Sequence, residues 1–406
     1  MLARLVRRRT ADEPNGAEAE PVLTRLFISV LAITFLNFSL EHMMRPVVPL
    51  LILERGGSAL IVGLIVAVHT IPSLLIRPTI GQMADQGRLG PLLRTGTLGA
   101  AITSTGVLLP GIVPLIPIRL LQGTAWAACS VGSHSLLGRL APRGRRAEAA
   151  GYFMAMPALS QLIMPGLGVA VFAATRELGV AALTLALGMI AFILTGRLNV
   201  PPPAPQPVPA HVPRDGEIGA RWRFRAMERS VLPGTLMITM FMSAQAVFTV
   251  FAPVYVLTVG APIETLVIYY PIYGITLTLS QLIVGRISDR IGRGRSIRIG
   301  CAAGIVGIAI AAIGGGIATL AVGAAAYAVG VSLVSPTLSA ITMDKAPADR
   351  LGAAMATYSL GYQAATGGSS LIWGALIATT GFAGVFLAAL ALQFATVVAS
   401  IRWVAR

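Results

Sequence analysis

Long apolar runs dominate the chain, and short polar, basic or glycine- and proline-rich segments separate them. A bilayer-crossing helix needs about 17–25 such residues. On that basis the runs predict twelve spans, near residues 22–52, 60–82, 91–111, 114–140, 147–174, 179–198, 230–258, 264–286, 297–316, 318–342, 350–378 and 380–402. The runs are continuous rather than alternating. That pattern excludes a membrane β-barrel and leaves helices, which satisfy their own backbone in lipid. The pattern therefore predicts an all-α polytopic membrane protein.

Between the sixth and seventh runs lies "NVPPPAPQPVPAHVPRDGEIGARWRFRAMERS". Its prolines favour an extended linker. It divides the chain into a first six-helix bundle (22–198), a linker (199–229) and a second six-helix bundle (230–402). Short tails, 1–21 and 403–406, flank them. The first twenty residues combine Arg7, Arg8 and Arg9 with "ADEPNGAEAE" and have no apolar core of their own. They read as a tail, not a signal peptide.

Composition agrees with this pattern. Of 406 residues 55% are hydrophobic and only 12% charged, about half the charged share of a soluble domain. The net charge of +15 suggests nucleic acid until its placement is read. The basic residues crowd the N-terminal tail, the linker and every second connection, whereas the alternate connections hold only Arg55 and Arg176. This is the asymmetry of a membrane protein with both termini in the cytoplasm, so no nucleic-acid partner is expected. Arginine used almost to the exclusion of lysine, with Lys345 alone, points to a GC-rich bacterial genome and an inner-membrane location. Cys129 and Cys301 sit in separate apolar runs and imply no disulfide framework.

Two connections repeat one motif half a chain apart. Gly81-Gln82-Met83-Ala84-Asp85-Gln86-Gly87-Arg88 follows the second span, and Gly285-Arg286-Ile287-Ser288-Asp289-Arg290-Ile291-Gly292-Arg293-Gly294-Arg295 follows the eighth. This resembles the signature loop of the major facilitator superfamily. The second copy fits nearly fully; in the first, Gln86 replaces an arginine and Gly87 comes one place early. Arg119 to Gly123 in the fourth span resembles that family's Arg-x-x-x-Gly element. Met164-Pro165-Gly166-Leu167-Gly168 resembles the antiporter element of the fifth span, with its first glycine replaced. "MATYSLGYQAATGGSS" resembles the drug-efflux branch, with Gln363 where relatives often carry an acid. The resemblance implies a twelve-helix transporter in two bundles. Its gating loops would comprise Gly81, Asp85, Arg88, Gly285, Asp289, Arg290, Gly292 and Arg293, with a hinge at Pro165 and Gly168. In such loops an Asp near a helix N-terminus is stabilised by the free N–H groups; the bland alternative is that they only fix topology.

Sorting the acids by position leaves one, Glu41, deep within a span. Intramembrane charges are expensive and usually functional. At 3.6 residues per turn Thr34, Asn37, Glu41 and Arg45 share a stripe, and Glu41 and Arg45 can pair at i,i+4. The resemblance places helix one on the central cavity, with Arg119 as a second partner. Glu41, Arg45, Arg119 and His42 are thus the proton-coupling candidates; a static ion pair is the alternative. Asn37, His69, Gln122, His134 and Gln161 are cavity candidates from the first half, and Gln245, Tyr273, Tyr362 and Gln363 from the second. Each can instead hold helices together. Arg77 is the remaining arginine within a span. No phosphate loop, zinc-peptidase motif or nucleophile elbow is present, so an enzyme is not expected, nor a metal or cofactor. The reading is a monomeric, proton-gradient-driven exporter of a small, partly hydrophobic molecule. Its rivals are an uptake symporter or uniporter, and a membrane sensor that does not transport.

Overall fold

The computed structural model describes residues 22–142, 145–198, 228–346 and 351–404. The expected N-terminal tail, nearly all of the linker and the last two residues lie outside the described residues. The side chains of Asp85 and of 284–290 do too, which takes in the gating candidates Gly285, Asp289 and Arg290.

The described chain is helical, without strands. The first rods are α1 (Arg25–Glu54), α2 (Ala59–Met83), α3 (Leu89–Ser104) and α4 (Leu115–Leu140). A 51-residue run, Arg146–Gly196, turns at Arg176 (φ 56°, ψ −150°) into α5 (146–175) and α6 (177–196). α7 is in three pieces, Leu232–Ser243, Gln245–Thr249 and Ala252–Thr258. Then come α8 (Thr265–Ile291), α9 (Arg293–Gly314) and α10 (Ile317–Lys345). α11 starts at Leu351–Gln363, widens through a π-type turn at Ala364–Gly368, and runs on into Ser369–Val404. Gly381 (φ 68°) ends it and begins α12.

The twelve rods match the twelve apolar runs. α3 stops earlier than its run predicts, passing into a 3₁₀ turn at Thr105–Leu108 before Pro110 and Gly111. Seven of the continuous helical runs are long and apolar enough by themselves to cross a membrane, and two of these contain a pair of rods. α4 and α8 are less apolar because they turn Arg119, His134 and Gln281 inward. Ile313, Val113, Ile268 and Leu387 face outward, each at least two-thirds exposed, as lipid contact requires.

The corner at Arg176 is the one non-glycine residue with positive φ among those described. Such a conformation costs on the order of 1–3 kcal/mol and needs external support. Its guanidinium pairs with Glu54, while Arg55 pairs with Glu177 at 3.6 Å and donates to the carbonyls of Val107 (2.6 Å) and Gly111 (2.7 Å). These ion pairs tie the ends of α1, α3 and α5 together at the face away from the chain termini, here called the distal face. At the opposite, terminal face, Gly87 (φ 83°) and Gly292 (φ 85°) both take the left-handed conformation. The glycine that comes one place early therefore still makes its turn. Arg139 donates to the Ala84 carbonyl at 2.6 Å beside the first loop, and Arg293 pairs with Asp344 beside the second.

α7 breaks at Ala244 and again near Val250, which frees carbonyls in an apolar interior. Each finds a side-chain donor. Tyr327 (2.7 Å) and Gln393 (3.0 Å) donate to Phe241, and Trp373 donates to Ser243 (2.8 Å). Tyr269 donates to Phe248 (2.8 Å) and Tyr270 to Thr249 (3.1 Å). A broken helix at membrane depth is tolerated only under such satisfaction.

Within the first bundle α1 packs on the α5–α6 run and α2 on α4; in the second, α9 packs on α10 and α7 on α11. The bundles meet along α2–α11, α5–α8 and α1–α7. The first two seams are lined by glycine. A Cβ on Gly374 would stand 3.2 Å from the Gly63 Cα, and one on Gly274 would stand 2.7 Å from the Leu162 Cα. Small residues allow this backbone approach, the usual adhesive between helices in lipid. The larger buried apolar cluster runs through the second bundle and crosses into the distal parts of α1 and α2, at Val47, Leu51, Ile52, Val62 and Ile65. The smaller cluster, with Phe27, Leu93, Leu136 and Phe153, stays within the terminal half of the first bundle. The bundles are thus sealed distally and part toward the terminal face.

Gly63→Leu should pry this seam apart, at about 1–3 kcal/mol for overpacking. With Cys129 and Cys301 replaced by serine, a Leu51→Cys reporter should then react faster with a membrane-impermeant maleimide. Unchanged labelling would show that the seam is loose at Gly63.

Candidate functional site

The parted bundles enclose a cavity of about 550 Å³. Its first-bundle wall comes from α1, α2, α4 and α5, and its second-bundle wall from α7, α8, α10 and α11. Glu41 is the one carboxylate among its lining residues. The wall also carries His42, Arg45, His69, Arg77, Arg119, His134 and Gln161 from the first bundle, and Gln245, Tyr362 and Gln363 from the second.

Glu41 pairs with Arg45, as its helical spacing predicts, and with His69, which was expected only as a cavity residue. The i,i+4 approach to Arg45 is long, Nε to Oε1 3.9 Å. The nearer group is His69 Nε2 on α2, 3.4 Å from Oε2. It is within ion-pair reach but not in hydrogen-bond alignment. Both arginines have amide partners instead. Arg45 donates to Gln161 Oε1 at 3.1 Å, and Arg119 to Gln122 Oε1 at 2.6 Å. These neutral acceptors orient the guanidinium groups without cancelling their charge.

α2 and α4 almost touch at His69. A Cβ on Gly123 would stand 3.0 Å from the His69 carbonyl carbon. The glycine of the Arg119-x-x-x-Gly123 element thus sets the distance between helices. His42 turns away from Glu41 and bonds Ser160 Oγ at 3.0 Å. His134 bonds the Ser130 carbonyl at 2.7 Å and meets the Phe153 ring edge-on.

Three expected cavity residues stand behind the wall. Asn37 and Gln122 border a separate space of about 10 Å³ beside Glu41 and Trp126, room for one water molecule. Both amide atoms of Asn37 lack hydrogen-bond partners among the described residues. Tyr273 is buried and accepts from Gln245 Nε2 at 3.1 Å, so the break in α7 brings Gln245 to the cavity with Tyr273 as its support. The proposed hinge residues Pro165 and Gly168 keep helical geometry, and the run bends only at Arg176. Gly168 lets α5 approach Met43 of α1, at 2.9 Å from a built Cβ. A Cβ on Gly81 would meet nothing within 4 Å, so packing in this conformation does not require that glycine.

The expectations missed the lining residues Arg77, Ser73, Trp126 and Gln281. Arg77 was legible as an arginine within a span. Trp126, edge-on to Phe38 at 4.8 Å between ring centres, gave no such signal.

Gly123→Val should lower the thermal midpoint by several degrees through overpacking, whereas Gly81→Ala should leave it within a degree or so. Fluorescence-detected melting of the purified variants measures this. Equal melting of the two variants would show that the α2–α4 approach is not tight.

The sequence matches the family model described as Major Facilitator Superfamily over residues 30–367 and 272–406. Among curated proteins none matches. Solved structures are similar over nearly their whole length. A transporter of the POT family in complex with 5-aminolevulinic acid shares 14% identity at TM-score 0.74, covering 93% of this chain and 95% of that one. The nucleoside transporter NupG shares 14% at 0.71, covering 94% and 99%. A bacterial homologue of the human lysosomal transporter Spinster, inward-facing and unoccupied, shares 14% at 0.70, covering 96% and 97%. At this identity the likeness is one of fold.

Proposed function

Since the chain belongs to the major facilitator superfamily, a family of secondary transporters, we propose that it is a proton-coupled exporter working by alternating access. Its place in this reading is the bacterial inner membrane, termini in the cytoplasm, as the basic connections favour. The terminal-face opening of the cavity then corresponds to a cytoplasm-facing state. The observation that carries the proposal is Glu41, the one carboxylate on the cavity wall, with His69 at 3.4 Å and Arg45 at 3.9 Å.

In this mechanism Glu41 binds a proton when the distal side is open and releases it when the terminal side is open. Arg45, Arg119 and His69 stand around the Glu41 carboxyl on the same wall. Substrate entering from the terminal side engages the arginines while Glu41 is ionised, and protonation of Glu41 from the distal side returns the emptied cavity. Protonation and substrate occupancy then exchange through one set of cations. The α2–α11 and α5–α8 seams open as the terminal face closes, and the loops at Gly87 and Gly292, with the Arg293–Asp344 pair, brace the terminal ends. The likeness of the α5 and α11 segments to efflux relatives supports export. Each pH unit supplies about 1.4 kcal/mol per proton, and each 100 mV about 2.3 kcal/mol per charge moved.

Glu41→Gln should abolish gradient-driven accumulation in proteoliposomes while passive substrate exchange survives. His69→Ala, Arg45→Ala and Arg119→Ala should each lower the proton-to-substrate ratio. Substrate flux and proton movement, recorded together with and without a pH gradient, measure both. Full proton-driven accumulation by Glu41→Gln would falsify the coupling role, and uptake instead of export would reverse the direction. No flux under any gradient would leave a sensor.

A further inference from the structure

The charges on the cavity wall do not balance. Arg45, Arg77 and Arg119 face it against the single carboxylate of Glu41, and all four come from the first bundle. Among the described residues the second bundle adds only neutral polar groups to the wall, among them Gln245, Gln281, Tyr362 and Gln363. Arg45 and Arg119 are held by Gln161 and Gln122, and amides leave the charge in place. Arg77 has less. Among the described residues it makes no hydrogen bond or ion pair, and its Nε is buried without an acceptor. The Nε of Arg119 is in the same condition.

A cation at membrane depth normally finds a carboxylate or a backbone carbonyl. Here Arg77 and Arg119 line the cavity with no ion-pair partner among the described residues, and a cleft lined by one sign of charge concentrates field on whatever enters. The guanidinium fork matches carboxylate and phosphate oxygens two at a time. Phe38, Trp126, Met154, Leu277 and Val331 supply apolar surface on the same wall.

We propose that the substrate is a small organic anion, a carboxylate or phosphate monoester on an apolar or aromatic body, and that Arg77 is its first anchor on the path from the terminal face to Arg119 and Glu41. This deepens the transport reading and rests on it. Ser73, on the Arg77 helix, and Ser130, on α4, border the same part of the cavity and offer hydroxyls to the oxygens that Arg77 leaves free. The neutral second-bundle wall receives the uncharged body of the molecule.

The test uses one scaffold in four charge states: phenylacetate, benzyl phosphate, phenylacetamide and phenethylamine. Thermal stabilisation and Trp126 fluorescence of the purified protein report binding, and proteoliposome flux reports transport. The anions should bind at least tenfold better than the amide, and the amine not at all. The carboxylate and phosphate arms decide between the two headgroups. Arg77→Gln should weaken anion binding at least tenfold, with Arg77→Lys restoring part of it. Gel filtration separates a binding loss from misfolding, and Arg77→Lys keeps the test open if Arg77→Gln fails to fold. Preference for the amide or amine, no binding by either anion, or an Arg77→Gln variant that binds anions as well as wild type would overturn the proposal. Proton-driven transport of the amide or amine would sink the anion assignment and leave proton coupling standing. Anion exchange without proton movement would do the reverse.

Discussion

Lipid offers no hydrogen bonds, so each backbone amide and carbonyl at membrane depth must be satisfied inside the protein. That constraint makes the chain helical and decides where it can stop being helical. α7 is broken twice in the membrane interior, and side chains of Tyr269, Tyr270, Tyr327, Trp373 and Gln393 accept the consequence by donating to its freed carbonyls. They come from α8, α10, α11 and α12, so the break is supported by most of the second bundle. What it yields is Gln245 at the cavity wall, held by Tyr273.

The same solvent makes charge placement a second constraint. Opposite charges gather at the distal ends of α1, α3 and α5, where Arg55, Glu54, Arg176 and Glu177 brace a strained corner. Inside the cavity Arg45 and Arg119 are oriented by amides, which supply acceptors and no countercharge. A cation neutralised by a fixed carboxylate has nothing left to offer a ligand; one held by glutamine does.

Much of the fold was legible because hydropathy and arginine placement both report on the bilayer. Every apolar run became a rod. The first break in α7 was not legible, since Ala244 is no helix breaker and the donors lie far away in sequence; the second precedes Pro253, whose missing N–H leaves the Thr249 carbonyl to Tyr270. Glu41 could be found by elimination, because acids are scarce. Its helical partner Arg45 could be found too, but its second partner could not, because spacing within one helix says nothing of how closely the next approaches, and His69 of α2 lies nearer than the i,i+4 neighbour. Asn37 and Tyr273 looked like wall residues because mid-span polarity is the same whether a side chain faces ligand or another helix. The side chains of Asp85 and Asp289 lie outside the described residues, so the loop contacts that the sequence motif suggests stay with the motif.

The glycine seams and the charged wall occupy different parts of the molecule. The seams join the bundles by backbone contact, while among the described residues the cations and the acid of the cavity belong to the first bundle. This division has an evolutionary consequence. Amides and hydroxyls on the second-bundle wall can be exchanged for one another without disturbing any ion pair of the described cavity wall, so that wall can drift while the charged half stays as it is. Two fused units, one conservative and one permissive, give a lineage a way to change its cargo in single steps.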